Sequence, residues 1–436
     1  MDAKPEKDVA RASELSPVAK FFKSTELDTR MLGMIFIMFV FWLVFDLLSD
    51  GLFLTPRNLW NLSVQTASVS IMATGMVMVI VTRNIDLSVG SILGFVGMIM
   101  AVTQAEILPD LIGYDHSMTW LIALLVGLLF GILIGGFHGV CVAYLGIPSF
   151  IVTLGGLLVW RGGAWWITSG RTVAPMDKIF RLMGGGTDGS IGATASWIIG
   201  LIACAGIIAM IVVGRSQRKR FNFPLRPLWA EGFLVLLYCS TVLGAVAIAN
   251  AYPWPERVAA NYAEEHGITV PEGGLFISTG IAIPVLIAIV IGIIMTFVST
   301  RTKFGRYIFA QGGNPEAAEL AGINTKWVTV KIFMVMGALC AIAGSISTAR
   351  LNAATNAQGT LDELLVIAAA VIGGTSLSGG MGTIGGAMMG AIFMQSIQSG
   401  MILLGVDTPL QNIAVGVVLV VAVWLDTVYR RKTAKL

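Results

Sequence analysis

An all-α, polytopic transmembrane bundle is the fold this sequence predicts, and three observations predict it. Hydrophobic residues fill 56% of the 436 positions and charged residues only 12%, against about 25% charged in ordinary soluble domains. The apolar residues fall into about twelve runs, each near the roughly 20 residues that a helix needs to cross hydrocarbon. Lys and Arg are segregated into alternate connections, as they are when those connections face the cytoplasm. A net charge of +3 is too small to suggest a nucleic-acid partner. The four cysteines (Cys141, Cys204, Cys239 and Cys340) are far apart inside apolar runs. They show neither metal spacing nor a disulfide framework.

The first 30 residues are polar and mixed in charge, with no signal peptide ahead of the first apolar run. Residues 1–30 therefore read as a cytoplasmic segment and 31–428 as the membrane domain. Spans are expected near 31–48, 58–82, 86–104, 119–143, 148–168, 194–213, 230–250, 276–299, 327–349, 361–377, 381–404 and 410–428. The polar, Pro-bearing stretch 252–274 reads as an outer loop, 301–326 as an inner one, and 429–436 as a cytoplasmic tail. With the N-terminus inside, 21 of the 28 Lys and Arg residues face the cytoplasm and 6 face outward, Arg161 lying within a span. That bias puts both termini in the cytoplasm. Trp120, Trp160, Trp165 and Trp166 fall near outer interfaces and Trp229, Trp327 and Trp424 near inner ones, as aromatic belts require.

The inner loop carries a helix signal. Asn314 is a good N-cap, Pro315 suits the first helical position, and Gly322 supplies a stop. Ala317, Leu320 and Ala321 then share one face, with Glu316 and Ala318 beside it. So short a helix needs something to pack against, and a small-residue face on an aqueous loop suits docking into a partner's groove.

Two polar or Gly-rich breaks interrupt the apolar runs. Asn84, Asp86 and Ser88 lie in the first. Asp86 suits capping of the following helix; alternatively, these groups line a pathway for a neutral, hydrogen-bonding solute. Glycines crowd the second, from Ile372 to Gly390, with Gly379 and Gly380 at its centre. They permit either tight helix packing or a broken, re-entrant helix beside a translocation route. The Leu87–Ser88 and Leu377–Ser378 contexts hint weakly at an internal duplication.

Ionisable residues inside spans have structural readings. Arg161 suits snorkelling toward the outer interface, and His138 suits packing on a glycine-rich helix. Asp46, Asp362, Glu363 and Asp426 sit near span ends, within reach of water. No chain of buried carboxylates is visible, which argues against a proton-coupled pump. No phosphate-binding G-x-x-x-x-G-K-[ST] loop, zinc signature or nucleophile elbow occurs, so the chain has no visible means of hydrolysing ATP and is no enzyme by this reading.

Three segments carry a family resemblance: Asn84–Ser91; Ile147–Gly155, which includes Phe150 and Thr153; and Phe304 through Ile323. Arg161–Gly162 followed by Ser169–Thr172 adds a fourth. Together they resemble the membrane permeases of bacterial ABC importers for monosaccharides, the ribose, galactose, arabinose and xylose group. The resemblance implies an inner-membrane protein whose two copies form the pore, with cytoplasmic ABC ATPase subunits that bind the ATP and a periplasmic sugar-binding protein. It implies no cofactor and no metal in this chain. It also implies that Asn314, Pro315, Glu316, Ala317, Ala318, Leu320 and Gly322 belong to the loop that meets the ATPase. Asn84, Asp86, Ser88, Phe150, Thr153, Gly379 and Gly380 become candidates for the path or gate. Relative to shorter ribose-type permeases, 194–250 adds two spans, expected at the periphery, and xylose-type permeases are closer in layout. The rival reading is a passive facilitator or secondary transporter of small polar solutes, which would need no exposed docking helix.

Overall fold

The computed structural model describes residues 17–27, 29–271 and 274–433. Most of the expected cytoplasmic segment 1–30 and the end of the tail 429–436 lie outside these. The described residues are helical, with isolated β-bridges in place of strands. A short helix α1 (Pro17–Thr25) precedes α2 (Thr29–Leu48) and α3 (Pro56–Val81). Thr55 caps α3 and Pro56 occupies its first turn, which matches the preference of that position for a fixed φ. After a non-helical break, α4 (Val89–Val102) runs through a π-helical turn (Thr103–Ile107) into α5 (Leu108–Ile112). Then come α6 (Thr119–Ala143), α7 (Ser149–Thr168), the short α8 (Lys178–Leu182), α9 (Gly192–Arg220), α10 (Leu228–Asn250) and α11 (Glu256–Glu265). The last part comprises α12 (Ile283–Arg301), α13 (Lys303–Gly313), α14 (Pro315–Leu320), α15 (Thr325–Leu351), α16 (Asp362–Ile372), α17 (Ile384–Leu403) and α18 (Thr408–Thr433).

Nine helices among the described residues are long and apolar enough to cross a membrane. Three of the twelve expected runs fall outside these nine. The run at 361–377 forms only the 11-residue α16, about 16 Å long at 1.5 Å per residue and so roughly half of a ~30 Å hydrocarbon core. The run at 381–404 forms α17, long enough but diluted by Gln395, Ser396, Gln398 and Ser399. In α18, which runs Thr408–Thr433, the apolar stretch among the residues whose side chains are described is Thr408–Trp424.

Burial sorts the helices. In α3, 89% of the apolar window is buried, because α12, α15, α16 and α17 all pack around it. By contrast, α9 and α10 bury only 11% each, and α9 packs chiefly on α10. The additional segment 194–250 is thus a peripheral hairpin. At one end it is tied to the N-terminal helix: Arg218 and Arg226 both bind Glu26 at 2.7 Å, and Phe21 contacts Trp229 and Phe233. The pair of guanidinium groups holds the Glu26 carboxyl down at about 2.

The closest helix pair is α6 against α15. Gly127, Gly131, Gly135 and Gly139 recur every fourth residue and so form one stripe along α6. A side chain at Gly135 would strike the Phe333 carbonyl, and one at Gly131 the Gly337 carbonyl. Close backbone approach of this kind replaces the hydrophobic effect as the source of helix association in lipid.

Candidate functional site

At one end of the bundle, α14 stands out as a capped knob. Asn314 Oδ1 accepts from the Ala317 amide at 3.0 Å, Pro315 opens the helix, and Gly322 takes φ +82° to end it. Leu320 is 91% exposed, and Ala317 and Ala321 are exposed beside it, so the face with i, i+3, i+4 spacing points away from the protein. Glu316 is exposed too. Ala318 is buried and anchors the helix from beneath. Thr325 Oγ1 donates to Glu319 Oε1 at 2.5 Å, which fastens α14 to the start of α15.

Sequence reasoning missed the amphipathic helix α13 that carries this knob. Its buried Ile308, Gln311 and Gly312 follow helical spacing, a readable signal. Gln311 Nε2 donates to Thr329 Oγ1 at 2.9 Å. Where α13 ends, three chain segments meet through their backbones. Arg83 Nε donates to the Gly312 carbonyl at 3.1 Å, and Arg83 Nη2 to the Gly313 carbonyl at 2.8 Å. The Gly380 amide donates to the Val81 carbonyl at 2.9 Å. A side chain at Gly312 would collide with the Val81 carbonyl, so only glycine allows this junction. Gly379 (φ +88°) and Gly380 (φ +75°) adopt the left-handed region that the turn demands. The knob is therefore joined directly to both breaks.

The first break, residues 82–88, is a non-helical turn and loop. Asp86 is buried, and its Oδ1 accepts from the Ser88 amide at 2.9 Å and from Ser88 Oγ at 2.5 Å. This turn precedes the helix, and Ser88 rather than Asp86 is the N-cap residue of α4. Asn84 folds back onto Thr82. Thr153 Oγ1 donates to the Ile85 carbonyl at 3.2 Å, and the Ile85 amide donates to Ser149 Oγ at 3.2 Å, so α7 holds the break in place. Phe150, on the same helix, is 52% exposed. The break thus gathers Asp86, Ser88 and Thr153 and leaves Phe150 on the outer surface of the chain.

A buried relay ties the break to two further helices. Trp160 Nε1 donates to His138 Nε2 at 3.0 Å, which leaves the ring proton on Nδ1, facing Ser88 Oγ at 3.4 Å. Trp160, expected in an aromatic belt, serves this chain instead, and His138 is a satisfied core residue. The next residue, Arg161, does not snorkel. Its Nη1 donates to the carbonyls of Asn356 and Gln358 at 3.1 and 2.6 Å. The reason is the non-helical stretch 352–361, whose carbonyls at Asn356 and Gln358 have no backbone donor. Adjacent positions on α7 therefore reach the 352–361 stretch directly, through Arg161, and the first break through His138, by way of Trp160. Glu363, expected near water, is buried beside Gly90 with Oε2 lacking a partner.

At the end of the bundle opposite α14, a cavity of about 320 Å³ opens between the start of α3, α8, the 184–188 loop and the end of α15. Asn61 and Gln65 of α3 form its polar floor, and Arg181, Asp188 and Arg350 its wall. Behind the floor, Gln395 Nε2 donates to Gln65 Oε1 at 3.1 Å and to Gln398 Oε1 at 3.2 Å. This amide ladder between α3 and α17 was also missed. A Gln on each of two facing apolar runs was its only sequence trace. No cluster of His, Cys, Asp and Glu able to hold a metal ion occurs among the described residues.

Comparison with known proteins agrees with this architecture. Residues 58–423 match the family described as "Branched-chain amino acid transport system / permease component". The chain is 36% identical over 407 residues to the xylose transport system permease protein XylH of Escherichia coli (strain K12), covering 93% of this chain and 94% of that one. It is 35% identical to the XylH protein of Haemophilus influenzae, covering 94% of this chain and 100% of that one. It is 31% identical to the ribose import permease protein RbsC of Escherichia coli (strain K12), covering 86% and 87%. No solved structure matches.

Proposed function

This chain belongs to the permease-component family of branched-chain amino acid transport systems, and from there we propose that it is the membrane subunit of an ATP-driven monosaccharide importer. The family description names amino acids, but the relatives that match nearly end to end are named for xylose and ribose. A xylose-like pentose is accordingly the proposed cargo. Two copies of the chain would form the pore, a separate ABC ATPase would bind the ATP, and a periplasmic binding protein would deliver sugar. The protein is multi-pass in the inner membrane. We place both termini and α14 on the cytoplasmic side from the Lys and Arg bias.

The observation that carries the reading is α14, a finished helix whose Leu320 is 91% exposed on an aqueous loop. A passive facilitator has no use for such a knob. An importer needs it to transmit an ATPase's closure to a membrane unit with two access states. The junction of Val81, Arg83, Gly312 and Gly380 supports this, since motion of the knob reaches both interrupted segments without crossing a flexible linker.

The test is uptake by proteoliposomes holding this chain with its ATPase and binding protein. D-Xylose, D-ribose, D-allose and L-leucine serve as cargoes. Sugar is expected to accumulate only with ATP. Leu320→Asp should leave the amount of folded permease unchanged yet abolish ATP-driven uptake. Uphill accumulation by this chain alone, or uptake of L-leucine and of no sugar, would overturn the reading.

A further inference from the structure

The cavity at the α8 end offers hydrogen bonds with nothing yet bound to them. Arg181 Nε is buried without a partner. The Asn61 side chain makes no hydrogen bond to the described residues, and the Gln65 amide nitrogen makes none either, since only its Oε1 is engaged. Backbone packs tightly at the wall: Gly184 lies against the Ala349–Arg350 peptide, where a side chain would collide with the Arg350 nitrogen. Gly185 and Gly186 both take φ +84°, which holds their loop over the opening. The volume of about 320 Å³ falls at the lower end of the roughly 300–1,000 Å³ of small-molecule sites.

Charge decides what fits. Three cations line the space, Lys178, Arg181 and Arg350. Lys178 is paired with Asp115 at 3.1 Å, Arg350 lies in the field of Asp362, and Asp188 lines the same wall as Arg181. Of these three, only Lys178 is ion-paired among the described residues; Asp188 and Asp362 offset the arginines at longer range. A free anion would have to lie beside Asp188. A neutral molecule with several hydroxyl groups would satisfy guanidinium and amide donors and the Asp188 acceptor at once. Leaving those groups unpaired is costly, and that cost is what makes a hydroxyl-reading site selective.

We propose that this cavity is a weak reception site for the sugar, with Asn61, Gln65 and Arg181 donating to its hydroxyls and Asp188 accepting from them. The proposal rests on the importer reading and adds a sugar-contacting surface within the permease itself. Weakness suits the role, because a site on a conduction path must release its occupant. The ladder from Gln65 to Gln395 and Gln398 joins the floor to α17, and α17 follows the 373–383 segment whose Gly380 meets Val81 near α14. The cavity floor and the junction beside the knob are thus linked through α17 and the segment that leads into it.

The experiment is saturation-transfer NMR on the full-length chain in nanodiscs, with D-xylose, D-ribose and D-allose as probes and L-glutamate as the anionic control. At least one sugar is expected to give a signal, reduced at least tenfold in both Asn61→Ala and Gln65→Ala. In the assembled importer those variants should raise the KM for uptake and keep the native rate at saturating sugar. Asn61→Gln retains the amide and separates lost contacts from lost folding. If no sugar binds the intact chain, or the two alanine variants bind as well as it does, the cavity is not a sugar site. L-Glutamate binding without sugar binding would make it a receptor for a carboxylate and overturn the assignment. ATP-driven uptake by the intact complex in any of these cases leaves the importer reading standing while this inference falls.

Discussion

Arg83 is where the knob can be separated from the breaks by one substitution. Its two hydrogen bonds run from a charged donor to the carbonyls of Gly312 and Gly313. Bonds to charged groups contribute about 1.5–3 kcal/mol each when buried, and Arg83 is exposed, so about half of that, roughly 1.5–3 kcal/mol for the pair, is expected after solvent screening. Arg83 also sits at φ +63°, which costs a non-glycine residue about 1–2 kcal/mol. Two variants therefore diverge. Arg83→Ala loses the bonds and keeps the strain, whereas Arg83→Gly loses the bonds and relieves it. Thermal melting of the purified permease should rank native above Arg83→Gly above Arg83→Ala, the variants about 1–2 kcal/mol apart. In proteoliposomes both variants should hydrolyse more ATP per sugar moved, to a similar degree, because both lose the link. Equal melting of the two variants would refute the strain argument, and native stoichiometry in both would refute the link.

Three further outcomes are expected. Gly135→Val drives a side chain into the Phe333 carbonyl and should cost about 1–3 kcal/mol or prevent folding; Gly136→Ala, which meets only the Met334 side chain at 3.4 Å, should give a native size-exclusion profile. Trp160→Phe keeps the ring and removes the donor to His138, lowering stability by about 1 kcal/mol in the same melt. The Glu26 carboxyl is lowered from 4.5 to about 2 by Arg218 and Arg226. Because the folded value is the depressed one, the contribution is complete above pH 4.5 and fades as pH falls toward 2. Limited proteolysis near α1 should accelerate across that window, and Glu26→Gln should show the faster rate already at neutral pH.

Much of the bundle was legible because lipid imposes length and apolarity on any helix it touches. The boundaries of α6 and α7 follow directly from the apolar runs, and the cap residues Asn314, Pro315 and Gly322 announce α14 because they act locally. Misreadings cluster where the partner is distant in sequence. Arg161 resembles a snorkelling residue until the carbonyls of Asn356 and Gln358 arrive beside it. Trp160 resembles a belt residue until His138 supplies an acceptor. The run 361–377 is apolar enough to cross, but turns occupy 356–361 and resume at Gly373, so helix is left only for α16. Such pairings depend on tertiary approach, which no local pattern encodes. The cavity floor was hidden for the same reason, since Asn61 and Gln65 are ordinary polar interruptions until α8 and the 184–188 loop fold over them.

The near-complete enclosure of α3 bears on biogenesis. Its neighbours α12, α15, α16 and α17 are all translated long after it. While the ribosome is still producing the middle of the chain, α3 must remain in the bilayer with Thr66, Ser70 and Thr74 facing acyl chains or provisional company. In an apolar medium those hydroxyls turn inward, as Thr66 and Thr74 do here by donating to the carbonyls of Leu62 and Ile71. These two hydroxyls are thereby satisfied within the nascent helix itself, before its late-arriving companions are made.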